Sequence, residues 1–334
     1  MIYINLLTHL REELFVKQLP KALLEKGYVF HINSKEDIVW DCVIVYEDID
    51  YPVEVKCRKG GLVFYSGEPP MVKVYSANFL NQYDHIITSH RRNKHKNVHS
   101  MQQSLPWYYG FDYNTKSISA SFEEIERMPQ PRKERKISFI TSNREFLPGH
   151  ASRMKFVEEL QKRYANEIDF FGKGIRQVGD KADAINPYYF SICIENSSIS
   201  HYWTEKIADA FMGYAIPIYN GCSNISEYFS SDSFVSIDIK NRSGALKIIE
   251  NIIEKSEEIY HKHKDALIKS RQKLLYTYNI FPAAVDFIES FVEKSETFVS
   301  VRLIPSTRFT DNMWANKCLR YERMFAKLKD KLSQ

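Results

Sequence analysis

The chain reads as a two-domain α/β protein with parallel sheets and a helical C-terminal tail, and three observations lead there. Its 334 residues, 44% of them hydrophobic, exceed what one small domain uses and suit two. Short runs that are apolar on both faces alternate with amphipathic helical stretches, as buried parallel strands and their crossover helices do. The stretch RMPQPRKERK, residues 127–136, breaks that alternation with two prolines and five basic residues, and reads as an interdomain linker.

Taken in order, residues 2–6 read as a strand, and 12–24 as a helix that Pro20 kinks or splits, because proline lacks the N–H a helix interior needs. Residues 28–32, 42–46, 62–65 and 85–88 read as further strands. After the linker the alternation restarts with a strand at 137–141 and a helix at 151–164 carrying Met154, Phe156, Val157 and Leu160 at helical spacing. Strands follow at 168–171, 190–194, 215–219 and 234–237, with a helix at 204–212. Beyond Gly244 the pattern is helical to the end, at 245–259, 281–292 and 312–332. This divides the chain into an N-terminal α/β domain (1–130), a second α/β domain (136–275) and a helical extension (276–334). Two such units enclose a cleft, and open α/β sheets bind ligands just past the carboxyl ends of their strands.

Composition excludes several classes. Lys plus Arg number 46 and Asp plus Glu 42, a net charge of +4, too small and too dispersed for a protein that binds nucleic acid by counterion release. Twelve glycines are sparse, which argues against several glycine-rich phosphate loops. The five cysteines, Cys42, Cys57, Cys193, Cys222 and Cys318, form no C-x-x-C pair, so neither a disulfide framework nor a thiolate zinc site is expected, only reduced thiols packed as small apolar residues. No basic-then-apolar leader opens the chain and no run approaches 18 apolar residues, so the expectation is a soluble cytoplasmic protein. The 312–332 helix mixes Trp314, Met324 and Phe325 with Lys317, Arg320 and Lys327. It is either an ordinary docked helix or a face that binds a membrane surface or a partner.

The densest polar constellation is FSICIENSSISHYWTEKIADAFMGYAIPIYNG, residues 190–221. A strand delivers Glu195 and Asn196 to its carboxyl end. Thr204 then N-caps a helix whose Ile207, Ala208, Phe211 and Met212 face the sheet. Lys206 in the first turn opposes the helix dipole unless an anion lies close. A phosphate supplies one; an ion-pair network with Glu195 and Glu205 is the plainer alternative.

That stretch resembles the signature of the glycosyltransferase family 10 α-1,3/1,4-fucosyltransferases. It stands here as Ile194-Glu195-Asn196 and Tyr202-Trp203-Thr204-Glu205-Lys206, and the likeness continues through Pro217, Gly221 and Asp232-Ser233-Phe234. Upstream, Ser142, Asn143 and Arg153 stand at the family's strand, S-N and helix-opening arginine, and Gly172-Lys173-Gly174 at its glycine cluster. In the first half, LVFYSGEPP places Glu68 at the position of the family's general base. Tyr83-Asp84-His85 and Leu105 to Tyr109 are similar to the family as well, with Trp107 and Tyr108 as acceptor-side aromatics.

The resemblance implies a GT-B fold and inverting, metal-independent transfer of fucose from GDP-fucose to a glycan hydroxyl. The acceptor would be a lipopolysaccharide, O-antigen or capsular glycan of a bacterium. Arg153, Ser142, Asn143, Glu195, Asn196, Tyr202, Thr204, Glu205 and Lys206 would hold the donor, with Glu68 taking the acceptor proton. Trp203 replaces the usual valine and, as an acceptor-side candidate, would crowd the sugar pocket, leaving a different nucleotide sugar as the alternative. Asp48-Ile49-Asp50 matches the D-x-D that holds metal in other glycosyltransferases, but it precedes no nucleotide-binding element. His90, His95 and His99 read as a basic surface loop without a metal-ligating partner. The distant alternative is a polyanion or nucleic-acid binder using the basic clusters.

Overall fold

Strands apolar on both faces pair in parallel throughout the two main sheets of the computed structural model. It describes residues 1–91, 95–141, 148–172 and 174–332, without the side chains of 148–152, 323 and 325–332. Ser142, Asn143 and Lys173 lie outside the described residues. The chain divides into two units, Met1–Leu105 with Tyr278–Gln334, and Pro106–Thr277.

The first unit begins β1 (Ile2–Thr8), α1 (Glu12–Val16), α2 (Ala22–Glu25), β2 (Tyr28–Ile32), β3 (Val39–Trp40), β4 (Cys42–Tyr46), β5 (Val53–Arg58), β6 (Leu62–Tyr65), α3 (Ala77–Leu80), β7 (His85–Thr88) and β8 (Val98–Ser100). Six strands form a parallel sheet in the order β2-β1-β4-β6-β7-β8. Every residue of β4 and β6 is buried, which is why both read as unbroken apolar runs. Pro20 lies between α1 and α2 and splits the expected helix.

The second unit holds β9 (Phe111–Asp112), β10 (Ser117–Ile118), α4 (Phe122–Arg127), β11 (Arg135–Ile140), α5 (Pro148–Tyr164), β12 (Ile168–Phe171), β13 (Tyr188–Ile194), α6 (Glu205–Met212), β14 (Ile216–Asn220), β15 (Val235–Ser236), α7 (Arg242–Glu254) and α8 (Ser256–Tyr276). Its parallel sheet runs β12-β11-β13-β14-β15. Register pairs Ile140 with Phe171 and Ile194 with Asn220. Thr141, Gly172, Glu195 and Gly221 therefore share one carboxyl edge.

The 127–136 stretch is not the boundary. Arg135 and Lys136 open β11, and the segment before it is fastened to the second unit. The Tyr108 and Tyr109 N–H groups donate to Asp209 Oδ1 at 2.8 and 2.9 Å, and the Tyr109 hydroxyl to Asn186 at 2.7 Å. Lys133 Nζ spends its charge on the carbonyls of Asn186 and Gly213, at 2.8 and 2.7 Å. The break falls instead between Leu105 and Pro106.

Nor is the C-terminal segment a separate, wholly helical extension. After α9 (Ile280–Phe291) it forms β16 (Phe298–Leu303) and then α10 (Thr310–Leu332), and it belongs to the first unit. Phe281 meets Phe30 edge-on at 4.9 Å. β16 pairs antiparallel with β5 in a three-stranded sheet, and its residues alternate exposed and inward, the period-two signature of a strand. Asp48 receives the Ser306 N–H at 2.9 Å, and Asn312 and Asn316 bond the Ser76 and Val74 backbone. Cys42, Cys57, Cys193 and Cys222 are buried as thiols, whereas Cys318 is exposed. Among the described residues no helix is long and apolar enough to cross a membrane.

At Gly172 φ is +130°, and a Cβ would fall 1.6 Å from the Thr141 carbonyl oxygen. Gly172→Ala should therefore destabilise by more than about 3 kcal/mol, against about 1 kcal/mol for Gly60→Ala, where the backbone is also left-handed but the space is open. Urea unfolding of the two variants measures the difference.

Candidate active site

The site is built on a loop between a strand end and a helix start. β13 leaves Glu195 at its carboxyl edge with its side chain fully buried. Such a charge persists only when hydrogen-bonded, and Thr204 provides for it. The Thr204 N–H and hydroxyl donate to the two carboxylate oxygens, both at 2.8 Å. Gly221 leaves the room, since a Cβ there would lie 2.4 Å from Glu195 Cγ. Thr204 also N-caps α6 as expected, its hydroxyl oxygen accepting the Lys206 N–H at 3.3 Å.

Lys206 turns its ammonium to Glu205 Oε1 at 3.1 Å and Glu195 Oε2 at 3.5 Å. The ion-pair network is thus present and answers the cation that the helix dipole disfavours. Burial works against its charge, yet the two glutamates raise its pKa above the usual lysine value. Burial raises the Glu195 carboxyl, with Lys206 pulling the other way. Burial also opposes ionisation of Glu205, but Lys206 and Lys181 hold it down at about 2.

Arg153, near the start of α5, is 6% exposed. Its Nη1 donates to Asn196 Oδ1 at 2.9 Å, while its Nε finds no hydrogen-bond partner among the described residues. Burial lowers its pKa, the charge of Glu195 counteracting. An orphaned, buried guanidinium nitrogen costs free energy that an anion carrying acceptor oxygens recovers.

Two members of this cluster escaped the sequence. Lys181 Nζ pairs with Asp209 Oδ2 at 2.5 Å and lies 4.8 Å from the centre of the Tyr108 ring. Asp209 did carry a signal, as an acid among the apolar residues of a buried helix face. Lys181 carried none, being one lysine in a polar loop. Tyr108, expected on the acceptor side, meets Lys181 and Asp209 in this cluster. Trp107 and Trp203 are each 1% exposed and pack as core. Trp203 lies 5.1 Å from Phe229 and 5.8 Å from Tyr228. Tyr202 is buried as well.

In the first unit Glu68 follows β6 and is half-buried. Its N–H donates to the Glu47 carboxylate and its carbonyl accepts from His90 Nε2 at 2.8 Å. Glu47 was not recognised from the sequence. His90 is therefore more than a surface-loop residue, while His99 in β8 meets His85 at 3.2 Å. Asp48 holds Ser306 and, at 3.3 Å, Lys73, whereas Asp50 is exposed. Among the described residues no three His, Cys, Asp or Glu side chains gather as a metal site.

A depressed carboxyl contributes stability fully above its ordinary pKa of 4.5 and loses it as pH falls towards about 2. Glu205→Gln should cost about 3 kcal/mol at pH 7, and its deficit against the parent chain should close progressively below pH 4.5. Denaturant unfolding at pH 7, 4.5 and 3 checks both the size and the sign.

Residues 130–271 match the model of glycosyltransferase family 10 (fucosyltransferase), C-terminal part. An α-(1,3)-fucosyltransferase of Helicobacter pylori is 35% identical over 92 residues, 27% of this chain and 18% of that enzyme. The 4-galactosyl-N-acetylglucosaminide 3-alpha-L-fucosyltransferase 9 of Homo sapiens is 31% identical over 135 residues, 39% of this chain and 36% of that enzyme. The aligned part thus spans well under half the length of either relative. A crystal structure of an α1,3-fucosyltransferase aligns over 89% of this chain and 90% of its own, with 21% identity and a TM-score of 0.51. That likeness is one of fold, and it bears out a GT-B-type α/β architecture. Over residues 130–271, the stretch that holds Arg153, Asn196 and the Thr204 to Lys206 turn, this chain is similar to the C-terminal part of the glycosyltransferase family 10 fucosyltransferases.

Proposed function

We propose that this chain is an inverting, metal-independent α-1,3/1,4-fucosyltransferase that moves fucose from GDP-fucose to a glycan hydroxyl. One observation carries the reading. Arg153 is buried beside Asn196, its Nε without a partner among the described residues, at the carboxyl edge of a parallel sheet and within the stretch that matches family 10. A diphosphate offers acceptor oxygens for the Arg153 Nε and an Nη together, the bidentate pairing a guanidinium favours. Arg153 and Lys206 then neutralise the charge that grows on the departing diphosphate, fixed electrostatic help of the kind that lowers such barriers most. Glu205 bonds the sugar or ribose hydroxyls, and Ser142 and Asn143 contribute to donor binding.

In the reaction Glu68 takes the proton of the acceptor hydroxyl. The acceptor oxygen forms a bond to the anomeric carbon as the bond from that carbon to the diphosphate breaks, and the electron pair leaves with GDP. The configuration inverts in that single displacement. A cytoplasmic bacterial enzyme acting on a lipopolysaccharide, O-antigen or capsular acceptor fits this chemistry. The use of another nucleotide sugar is the alternative, and the experiment below separates the two.

Ligands that bind only the folded state raise its melting temperature. GDP and GDP-fucose should stabilise the chain equally with EDTA or with a divalent metal, and Arg153→Ala should abolish the shift. Stabilisation by UDP or CMP conjugates alone would replace fucose with another sugar, and a metal-dependent shift would remove the metal-independent reading.

We further propose that α10 touches a membrane peripherally. Met313, Trp314, Lys317, Arg320, Tyr321 and Met324 share one side of the helix by spacing, and Met313, Trp314, Tyr321 and Met324 are each roughly half exposed. The chain should sediment with anionic but not zwitterionic vesicles, and Trp314→Ser with Lys317→Glu should release it.

A further inference from the structure

We propose that Glu47 is a positioning residue for Glu68, one that clamps the peptide carrying the base. The proposal rests on the reading of Glu68 given above. It begins from backbone geometry. Glu47 follows β4 with φ at +68°, in the left-handed region that a residue with a Cβ seldom adopts. Its N–H still continues the sheet, donating to the Tyr65 carbonyl at 2.8 Å. The strained turn swings the side chain into the protein, where it is 5% exposed. A conformation of this kind persists only where its surroundings hold it, and such places cluster at functional sites.

The buried carboxylate is fully engaged, and in a directed way. Oε1 accepts the Glu68 N–H. Oε2 accepts the Tyr75 hydroxyl at 2.8 Å and the Lys73 ammonium at 3.3 Å. Gly67 is the residue that permits this approach, because a Cβ there would stand 2.8 Å from Glu47 Oε1. On the other side of the same residue, His90 Nε2 donates to the Glu68 carbonyl at 2.8 Å, and the His90 ring tilts against Tyr75 at 5.6 Å. Glu68 is thus gripped by its N–H and by its carbonyl, and Tyr75 ties the two grips together. Lys73 also pairs with Asp48 at 3.3 Å, and Asp48 holds Ser306, so the clamp is fastened to the returning C-terminal segment.

A carboxylate that must meet a hydroxyl proton at hydrogen-bond distance gains from such fixing, since small misplacements of a reacting group cost large factors in rate. The residue acts on catalysis only through Glu68, and that makes it separable from a merely structural acid.

The experiment measures kcat, KM and GDP-induced thermal shift for Glu47→Ala, Glu47→Gln, Gly67→Ala, Glu68→Gln and the Glu47→Ala/Glu68→Gln double variant of the full chain. Glu47→Ala should lower kcat at least about tenfold per folded molecule, with the donor KM and the GDP shift held within about twofold. Glu47→Gln keeps an acceptor for the Glu68 N–H and should return kcat to within about threefold of the parent. Gly67→Ala, which displaces the carboxylate sterically, should reproduce the loss and serves if Glu47→Ala does not fold. The double variant should be no slower than Glu68→Gln alone, because a positioning residue has nothing left to position. Full activity of Glu47→Ala or Gly67→Ala beside an inactive Glu68→Gln would overturn the clamp, as would multiplicative losses in the double variant. Normal transfer by Glu68→Gln would overturn the base assignment beneath it.

Discussion

The grip of the buried Glu195 carboxylate on Thr204 is the contact on which the candidate site of the second unit depends. Its side chain is fully out of water, and its oxygens take both the N–H and the hydroxyl of Thr204. Charge-assisted bonds of this sort each contribute about 1.5–3 kcal/mol, and removing the partner would strand a buried charge. The strand end and the helix start are thereby locked in one geometry. Asn196, one residue on, is held where it meets Arg153, and Lys206, two residues past the cap, is held where it meets both glutamates.

The same device recurs in the first unit. There Glu47, next after β4, receives the N–H of Glu68 beyond β6. In both units an acid just past a buried parallel strand captures a loop N–H at the carboxyl edge. The physical reason is common to both. Where a strand leaves the sheet its neighbours' backbone groups lose their ladder partners, and each buried one needs a substitute. A carboxylate accepts from several donors at once, so one side chain serves a whole loop. In both cases a glycine, Gly221 or Gly67, gives up its Cβ so that the acid can come close.

Much of this was legible in advance. Strands β2, β4, β6, β7 and β12 fall at the residues that the apolar runs indicate, most plainly β4 and β6, which are buried on both faces and carry no polar interruption. The Thr204 cap was readable too, since it depends on one local residue type before an apolar helix face. Lys181 and Glu47 were not. Each works through partners far off in the chain, Asp209 and Glu68 respectively, and an isolated charged residue advertises no partner. β16 was missed although FVSVRL alternates, because its six residues sit between two helical patterns and pair with β5, some 240 positions earlier.

The sequence by itself determined where the apolar strands and amphipathic helices lie, and it carried the Glu195 to Lys206 signature, because periodicity, capping and short motifs are local properties. Only the tertiary structure decided which unit claims each segment. Residues 127–136 look like linker and 106–126 like part of the first domain, yet the segment is bound to the second unit by Asp209, Asn186 and Tyr260. Residues 278–332 look like a helical appendage yet complete the first unit through β16, Phe281 and Asp48. Those assignments rest on single long-range hydrogen bonds and on strand pairing, whose partners no window along the chain contains.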